Sequence, residues 1–140
     1  MNKKRVSPPV LPAVAELVLP GHPDKLCDAV ADGVVDFVRQ SDARGQCGVE
    51  VACVFDRVVL TGRVASHAAD ALQTVRDGGY AQLTRAAYAS AGYGVDAAGH
   101  RWGPTPEDLQ VESLLHVGPF DDGERELRHL SDDQAICVGY

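Results

Sequence analysis

Between Pro23 and Gln40, apolar residues return every third or fourth position. Leu26, Val30, Val34 and Phe37 fall on one stripe, with Cys27, Ala31, Val35 and Val38 beside it, which predicts an amphipathic helix over 23–40. Asp24 and Asp28 near its start and Arg39 near its end suit the helix dipole. Ser41-Asp42-Ala43-Arg44-Gly45 ends it and turns the chain. The period then changes. Val49-Glu50-Val51-Ala52-Cys53-Val54-Phe55 and Val58-Val59-Leu60-Thr61-Gly62-Arg63-Val64 are two β-branched arms joined by Asp56-Arg57, a hairpin within 48–65. Neither arm alternates cleanly with polar residues, so the sheet is expected to be covered on both faces.

The remaining pattern is weaker. Ala13 to Leu19 can form a short strand ahead of Gly21, and Ala68 to Val75 one or two helical turns broken at Asp77-Gly78-Gly79. Ala81 to Ala91 resumes helical spacing, with Leu83, Ala86, Ala87 and Ser90 on one side and Gly92 as the stop. Tyr93 to Pro106 is a glycine- and proline-rich loop whose His100, Arg101 and Trp102 either touch a ligand or anchor the loop. From Leu109 to Val117 alternation predicts a third strand with one wetter face. Residues 1–12 read as a disordered or extended tail and 13–140 as one domain. The order of strand, helix, hairpin, helix and strand gives an α+β fold, with a mostly antiparallel sheet and two main helices on one face.

Composition narrows the function classes. The chain of 140 residues is 45% hydrophobic, 24% charged and carries a net charge of −7, which argues against a nucleic-acid or anionic-membrane partner. No apolar run approaches the roughly 18 residues needed to span a bilayer. Pro8, Pro9 and Pro12 interrupt any signal-peptide core behind Lys3, Lys4 and Arg5. The four cysteines, Cys27, Cys47, Cys53 and Cys137, include no pair at zinc-ligand spacing, so a reduced, cytoplasmic protein is expected.

Two features carry candidate chemistry. Gly21-His22-Pro23-Asp24-Lys25 places a histidine, an acid and a base at a helix start, where Pro is tolerated because its missing N–H had no helical partner. Exposed amides and the positive dipole end make such a turn an anion site, and the added side chains suit a phosphate chain with its metal. The alternative is an ordinary polar helix start. Glu50 is a lone carboxylate in an apolar strand: either a cation or donors satisfy it in the interior, or it faces water at a sheet margin.

With these residues in place, Gly21-His22-Pro23-Asp24-Lys25-Leu26-Cys27-Asp28 resembles the GHPDK-(I/L)-x-D signature that opens the first domain of S-adenosylmethionine synthetase. Glu16 falls on the family's Glu in its opening strand, Glu50 on the Glu of its C-E-T strand and Gly62 on its G-E-(I/V)-T strand. Leu83-Thr84-Arg85 with Gly92-Tyr93 tracks the I-T-R…I-G-Y helix, and Asp133-Gln134…Gly139-Tyr140 is similar to G-D-Q-G-x-M-F-G-Y. The resemblance implies a single synthetase-like N-terminal domain, from an enzyme that moves the adenosyl group of ATP to methionine and cleaves the triphosphate. It implies that His22 contacts the triphosphate and its bridging oxygen, with Lys25 at the same catalytic loop. Asp24 would hold Mg²⁺ and Glu50 would ligate K⁺. Glu16 and Asp133 are the implied nucleotide- and substrate-side residues. Sulfur is already nucleophilic, so catalysis is positioning plus neutralisation of the leaving triphosphate.

The departures are specific. Arg63 stands where the family has a Glu that contacts the substrate amino acid, a charge reversal expected to repel the methionine ammonium. His116-Val117-Gly118-Pro119-Phe120 replaces the K-Q-S-P-D loop and loses its Gln. Pro20, Asp132 and Ala135 replace a Glu and two Gly residues. Two further repeats of the family chain, with most phosphate-binding cations, have no counterpart here. Two roles follow: a synthetase-derived subunit, active only with the missing domains, or a non-catalytic binding or regulatory subunit. The first implies ATP or triphosphate as ligand; the second implies a partner or a nucleotide. Both also imply pairing, as a homodimer or with a larger synthetase-like subunit, through an apolar sheet face.

Overall fold

The computed structural model of the protein describes residues 15–126. The expected tail over 1–12 lies outside these residues, as do the first two positions of the expected strand over 13–19. Helix α1 (Pro23–Ser41) is followed by the hairpin β1 (Gln46–Val54) and β2 (Arg57–Ala65). Next come helices α2 (Ala69–Thr74) and α3 (Tyr80–Ser90), a two-stranded ribbon of β3 (Gly94–Val95) and β4 (Arg101–Trp102), and strand β5 (Gln110–Gly118). The fold is α+β. Among the described residues, no helix is long and apolar enough to cross a membrane.

The main sheet has the order β1-β2-β5. β1 and β2 are antiparallel, with Glu50 opposite Thr61, whereas β2 and β5 are parallel, with Thr61 opposite Leu114. With the antiparallel ribbon of β3 and β4, two of the three pairings are antiparallel. The parallel pair needs a long crossover, and α2 and α3 supply it. The core lies on one face of the sheet. Leu26, Val30, Val34 and Val38 of α1, Val58, Leu60 and Val64 of β2, Leu72, Val75 and Tyr88 form one buried cluster. Val49, Val51, Val111, Leu115 and Val117 pack against its edge.

Three expectations are corrected. First, the sheet is covered on one face only among the described residues. Glu50, Ala52 and Val54 of β1 are exposed, and so are Thr61, Glu112, Leu114 and His116. Second, residues 15–19 form no strand; they are exposed and reach the helix through a turn in which the His22 N–H donates to the Leu19 carbonyl at 3.0 Å. Third, the hairpin turn is Phe55-Asp56, one position before the expected pair. Phe55 adopts φ 54°, a left-handed conformation that a bulky residue rarely takes.

Glycines and caps set the remaining boundaries. Gly62 has φ +120°, and a Cβ there would lie 2.0 Å from the Gly48 carbonyl oxygen on β1, so only glycine fits. Gly78, at φ +96°, kinks the π-type turn Val75–Gly79 between α2 and α3. At the other end of α1, Asp42 joins helix to sheet. Its carboxylate accepts from the His67 N–H at 2.9 Å, the Ser66 hydroxyl at 2.8 Å and the Arg44 N–H at 2.9 Å. These donors, His67 first, hold its carboxyl down to about 2.

A carboxylate held below its usual range stabilises the fold above the unfolded-state value and loses that effect as pH falls through the folded one. The stability advantage of the parent over Asp42→Asn is therefore expected to be full above about pH 4 and to shrink toward pH 2. Denaturant unfolding of both proteins at pH 5 and pH 3 checks this; an advantage that stays constant with pH contradicts it.

Candidate functional site: the polar N-terminal turn of α1

The first turn of α1 is built as its sequence dictates. Pro23 starts the helix, and His22 caps it, its Nδ1 accepting from the Asp24 N–H at 3.2 Å. A neutral imidazole that accepts at Nδ1 carries its proton on Nε2, so the outer edge of the ring is a donor. The ring is half-exposed, and the Asp24 carboxylate, 3.9 Å away from Nδ1, is 89% exposed. A hydrogen-bond donor, a carboxylate and a helix N-terminus thus converge on open solvent, a geometry that can take an anion and a hard cation together. Lys25 leaves the turn on another side. It lines a groove of about 440 Å³ with Ala29 and Gly33 of α1 and Leu83 and Ala86 of α3.

Tyr93 holds this turn in place. α3 ends in a Schellman motif: the Gly92 N–H donates to the Ala89 carbonyl and the Tyr93 N–H to the Tyr88 carbonyl, both at 3.1 Å, with Gly92 at φ +89°. The motif aims the Tyr93 ring at Tyr88, centroids 5.0 Å apart, and the Tyr93 hydroxyl donates to the Gly21 carbonyl at 2.9 Å. A Cβ on Gly103 would come within 2.7 Å of the Tyr93 ring, so the β4 loop closes on it only as glycine. Nearby, His100 pairs with Asp96 at 3.2 Å and Arg101 with Asp108. These two residues anchor the loop. Trp102 remains 63% exposed and borders a cavity of about 380 Å³ with Gly21 and Tyr93.

The expected site residues are only partly brought together. His22, Asp24 and Lys25 share one turn. Glu16 is exposed on the approach to it. Glu50 is exposed on the open face of the sheet, opposite to the face that α1 covers. It therefore faces away from His22, and the water-facing alternative is the one observed. Asp133 lies outside the described residues. Among the described residues no group of three or more His, Cys, Asp or Glu side chains is placed to hold a metal ion. Among the described residues, Asp24 is thus the one carboxylate of the capped turn itself that faces solvent beside His22.

Arg63 corrects another expectation. Its guanidinium donates to Glu124 through Nε and Nη2, both at 2.8 Å, and to the carbonyls of Val64, His116 and Pro119. Asp121 adds a carboxylate at 3.8 Å. Arg63 and Glu124 side chains are 15% and 13% exposed, so this is a part-buried, bidentate pair. The positive charge is neutralised inside the chain. It fastens the segment after β5 to β2 and does not stand free to repel an ammonium. Sequence reading could not find Glu124, which lies 61 residues away in a charged loop.

Fold and site define an α+β domain that presents a polar, anion-compatible helix N-terminus beside a half-open sheet. Residues 12–102 match the family described as S-adenosylmethionine synthetase, N-terminal domain. The chain belongs to that family. It is 31% identical over 131 residues to the S-adenosylmethionine synthase of Gluconacetobacter diazotrophicus, an alignment that covers 90% of this chain and 30% of the relative. The S-adenosylmethionine synthase of Hyphomonas neptunium is 32% identical over 133 residues, with 90% of this chain and 32% of the relative covered. An unusual S-adenosylmethionine synthetase from Campylobacter jejuni, of known structure, superposes with a TM-score of 0.61 at 27% identity, over 77% of this chain and 27% of that one. The chain therefore spans about 30% of the length of the curated relatives.

Because one hydroxyl joins α3 to the motif turn, Tyr93→Phe is expected to cost about 1 kcal/mol of stability, the net worth of a neutral hydrogen bond. It is also expected to raise amide exchange in residues 21–25. Denaturant unfolding together with hydrogen exchange checks this; a loss of stability without faster exchange at the turn contradicts the clamp.

Proposed function

We propose that this domain contributes the triphosphate-binding face of a methionine adenosyltransferase assembly whose other domains lie on further chain or on another subunit. The observation that carries the reading is the capped, open turn of α1, with the His22 Nε2 edge and the Asp24 carboxylate facing solvent. In this role His22 donates to a phosphate oxygen and stabilises the bridging oxygen as it leaves, while Lys25 supplies positive charge along the same turn. Asp24 is the ligand for Mg²⁺, which when bound neutralises phosphate charge. Glu50 is the ligand for K⁺, and Glu16 and Asp133 serve the nucleotide and acceptor side. Glu50 faces away from the turn, so the reading requires a second copy or a larger synthetase-like subunit on the open sheet face. The mixed surface of Glu50, Ala52, Val54, Thr61 and Leu114 is exposed and offers both apolar area and a carboxylate to such a partner.

A second reading is favoured by the Arg63–Glu124 pair. Where relatives are expected to place an acid that meets the substrate ammonium, this chain has an internally satisfied guanidinium. That supports a synthetase-like binding or regulatory subunit that takes nucleotide without making product.

Inorganic triphosphate with Mg²⁺ and K⁺ is expected to raise the melting temperature of the 140-residue chain. His22→Ala and Asp24→Asn should each weaken binding about 10- to 100-fold, as loss of a charge-assisted contact of ~1.5–3 kcal/mol implies. Calorimetric titration checks this, and binding that both substitutions leave intact would sink the site. Sedimentation of the chain at micromolar concentration is expected to show a dimer; a stable monomer argues against self-pairing through the sheet and leaves a larger partner as the only occupant.

A further inference from the structure

Arg63 and Arg76 meet at the end of the sheet remote from the α1 turn. Ser66, just beyond β2, donates to Asp42 at the C-terminal end of α1, so the whole length of the helix separates this place from His22. Both guanidiniums flank Gly118, the last residue of β5. A Cβ there would lie 3.2 Å from Arg63 Nη1 and 3.9 Å from Arg76 Nη2, so the missing side chain leaves room for two cations around one point. Arg76 is exposed on the kinked turn between α2 and α3 and donates to the Val117 carbonyl at 2.7 Å. Among the described residues it makes no ion pair. Two positive charges held this close repel each other, which favours an anion shared between them. The chain presents a carboxylate of its own to Arg63. Glu124 takes two donors from that guanidinium, both at 2.8 Å, and a third from the Asp121 N–H at 2.9 Å. It sits on a turn closed by the Glu124 N–H on the Asp121 carbonyl at 3.1 Å, with Gly123 at φ +75°. Elsewhere the segment rests on ring contacts: Phe120 lies 5.1 Å from the His67 ring, and the Arg125 guanidinium 5.6 Å over Phe120.

We propose that Arg63 and Arg76 form a binding site for a small dicarboxylate and that Glu124 is its built-in occupant. The ligand places one carboxylate on the Arg63 fork, in the bidentate geometry that Glu124 already shows there, and the other on Arg76. In doing so it displaces the turn over 121–124. Displacement also carries away Asp121, 3.8 Å from Arg63, and the exposed Asp122, whose charges oppose an incoming anion. Glu124 is joined to the end of β5 only through residues 119–123, so it competes at an effective concentration on the order of mM. The second carboxylate of the ligand gives it a contact to Arg76 that a monocarboxylate such as acetate cannot make at the same time as the Arg63 fork. The site is separate from the polar turn of α1 and does not rest on the triphosphate reading.

Calorimetric titration of the full chain with malonate tests the site. Malonate is expected to bind Glu124→Gln about tenfold or more tightly than the parent, because the internal competitor has lost its charge. Arg76→Ala in the Glu124→Gln background should reverse that gain, and acetate at matched ionic strength should bind Glu124→Gln about tenfold or more weakly than malonate does. In the parent, hydrogen exchange at the Asp121 and Glu124 amides is expected to rise in malonate well above the effective concentration of Glu124, and not in sodium chloride of equal ionic strength. That readout decides the matter by itself if Glu124→Gln does not fold. The proposal is overturned if the parent and Glu124→Gln bind malonate equally or not at all, if Arg76→Ala leaves the affinity unchanged, if acetate binds as tightly as malonate, or if exchange at Asp121 and Glu124 is the same in malonate and in sodium chloride.

Discussion

Leu26, Val30, Val34 and Val38 are each no more than 2% exposed and form the seam that fixes α1 on the sheet. Burying one such side chain is worth about 1.5–3 kcal/mol, so this row sets the rotation of the helix about its axis. The rotation decides everything upstream. With that row on the core, His22 and Asp24 fall at an exposed end, Lys25 turns toward α3, and Cys27 lands against Cys53 on β1. Tyr93 then fixes the approach to the helix through the Gly21 carbonyl. The helix seam and one phenol thus position the polar turn from two sides.

The helix over 23–40, the hairpin, α3 with its Gly92 stop and the alternation of β5 were legible because each rests on local periodicity or a local cap. Where the sequence misled or was silent, the deciding force was not local. The turn register depends on Phe55 taking a left-handed φ, which no residue type announces. The parallel pairing of β2 with β5 joins segments separated by the whole α2–α3 crossover. Glu50 was legible as an anomaly and not as a direction: apolar neighbours on both sides left burial and a water-facing margin equally open, and only the strand's pairing shows that its row, with Thr61 and Leu114, is the uncovered one. The candidate turn itself was legible from Gly21 to Lys25, while its support from Tyr93 was not, since a tyrosine after a helix stop carries no sign of the carbonyl it will meet.

Arg63 shows how a substitution can change meaning in three dimensions. As a sequence difference it is a reversed charge at a position expected to meet an ammonium. In the fold it is the hub for Glu124, Asp121 and three carbonyls. Removing either partner of this part-buried pair takes away a bidentate, charge-assisted contact, so the two positions are energetically coupled. The segment after β5 is consequently tied to the sheet by electrostatics where apolar packing is thin: Phe120 contacts only the His67 ring and the Arg125 guanidinium among the ring interactions of the described residues.

The geometry also constrains how the proposed ligand set can be completed. α1 covers one face of the sheet, and Glu50 projects from the other. No rotation of side chains brings a carboxylate through a sheet whose strands are hydrogen-bonded along their length. The Glu50 carboxylate and the His22 ring of the same chain therefore belong to different neighbourhoods, and a reaction centre of the proposed kind could include both kinds of residue only if two chains or two domains contributed opposite faces. That is the argument for an assembly, and it follows from the two-residue alternation of the strand together with the helix seam, whichever partner covers the sheet.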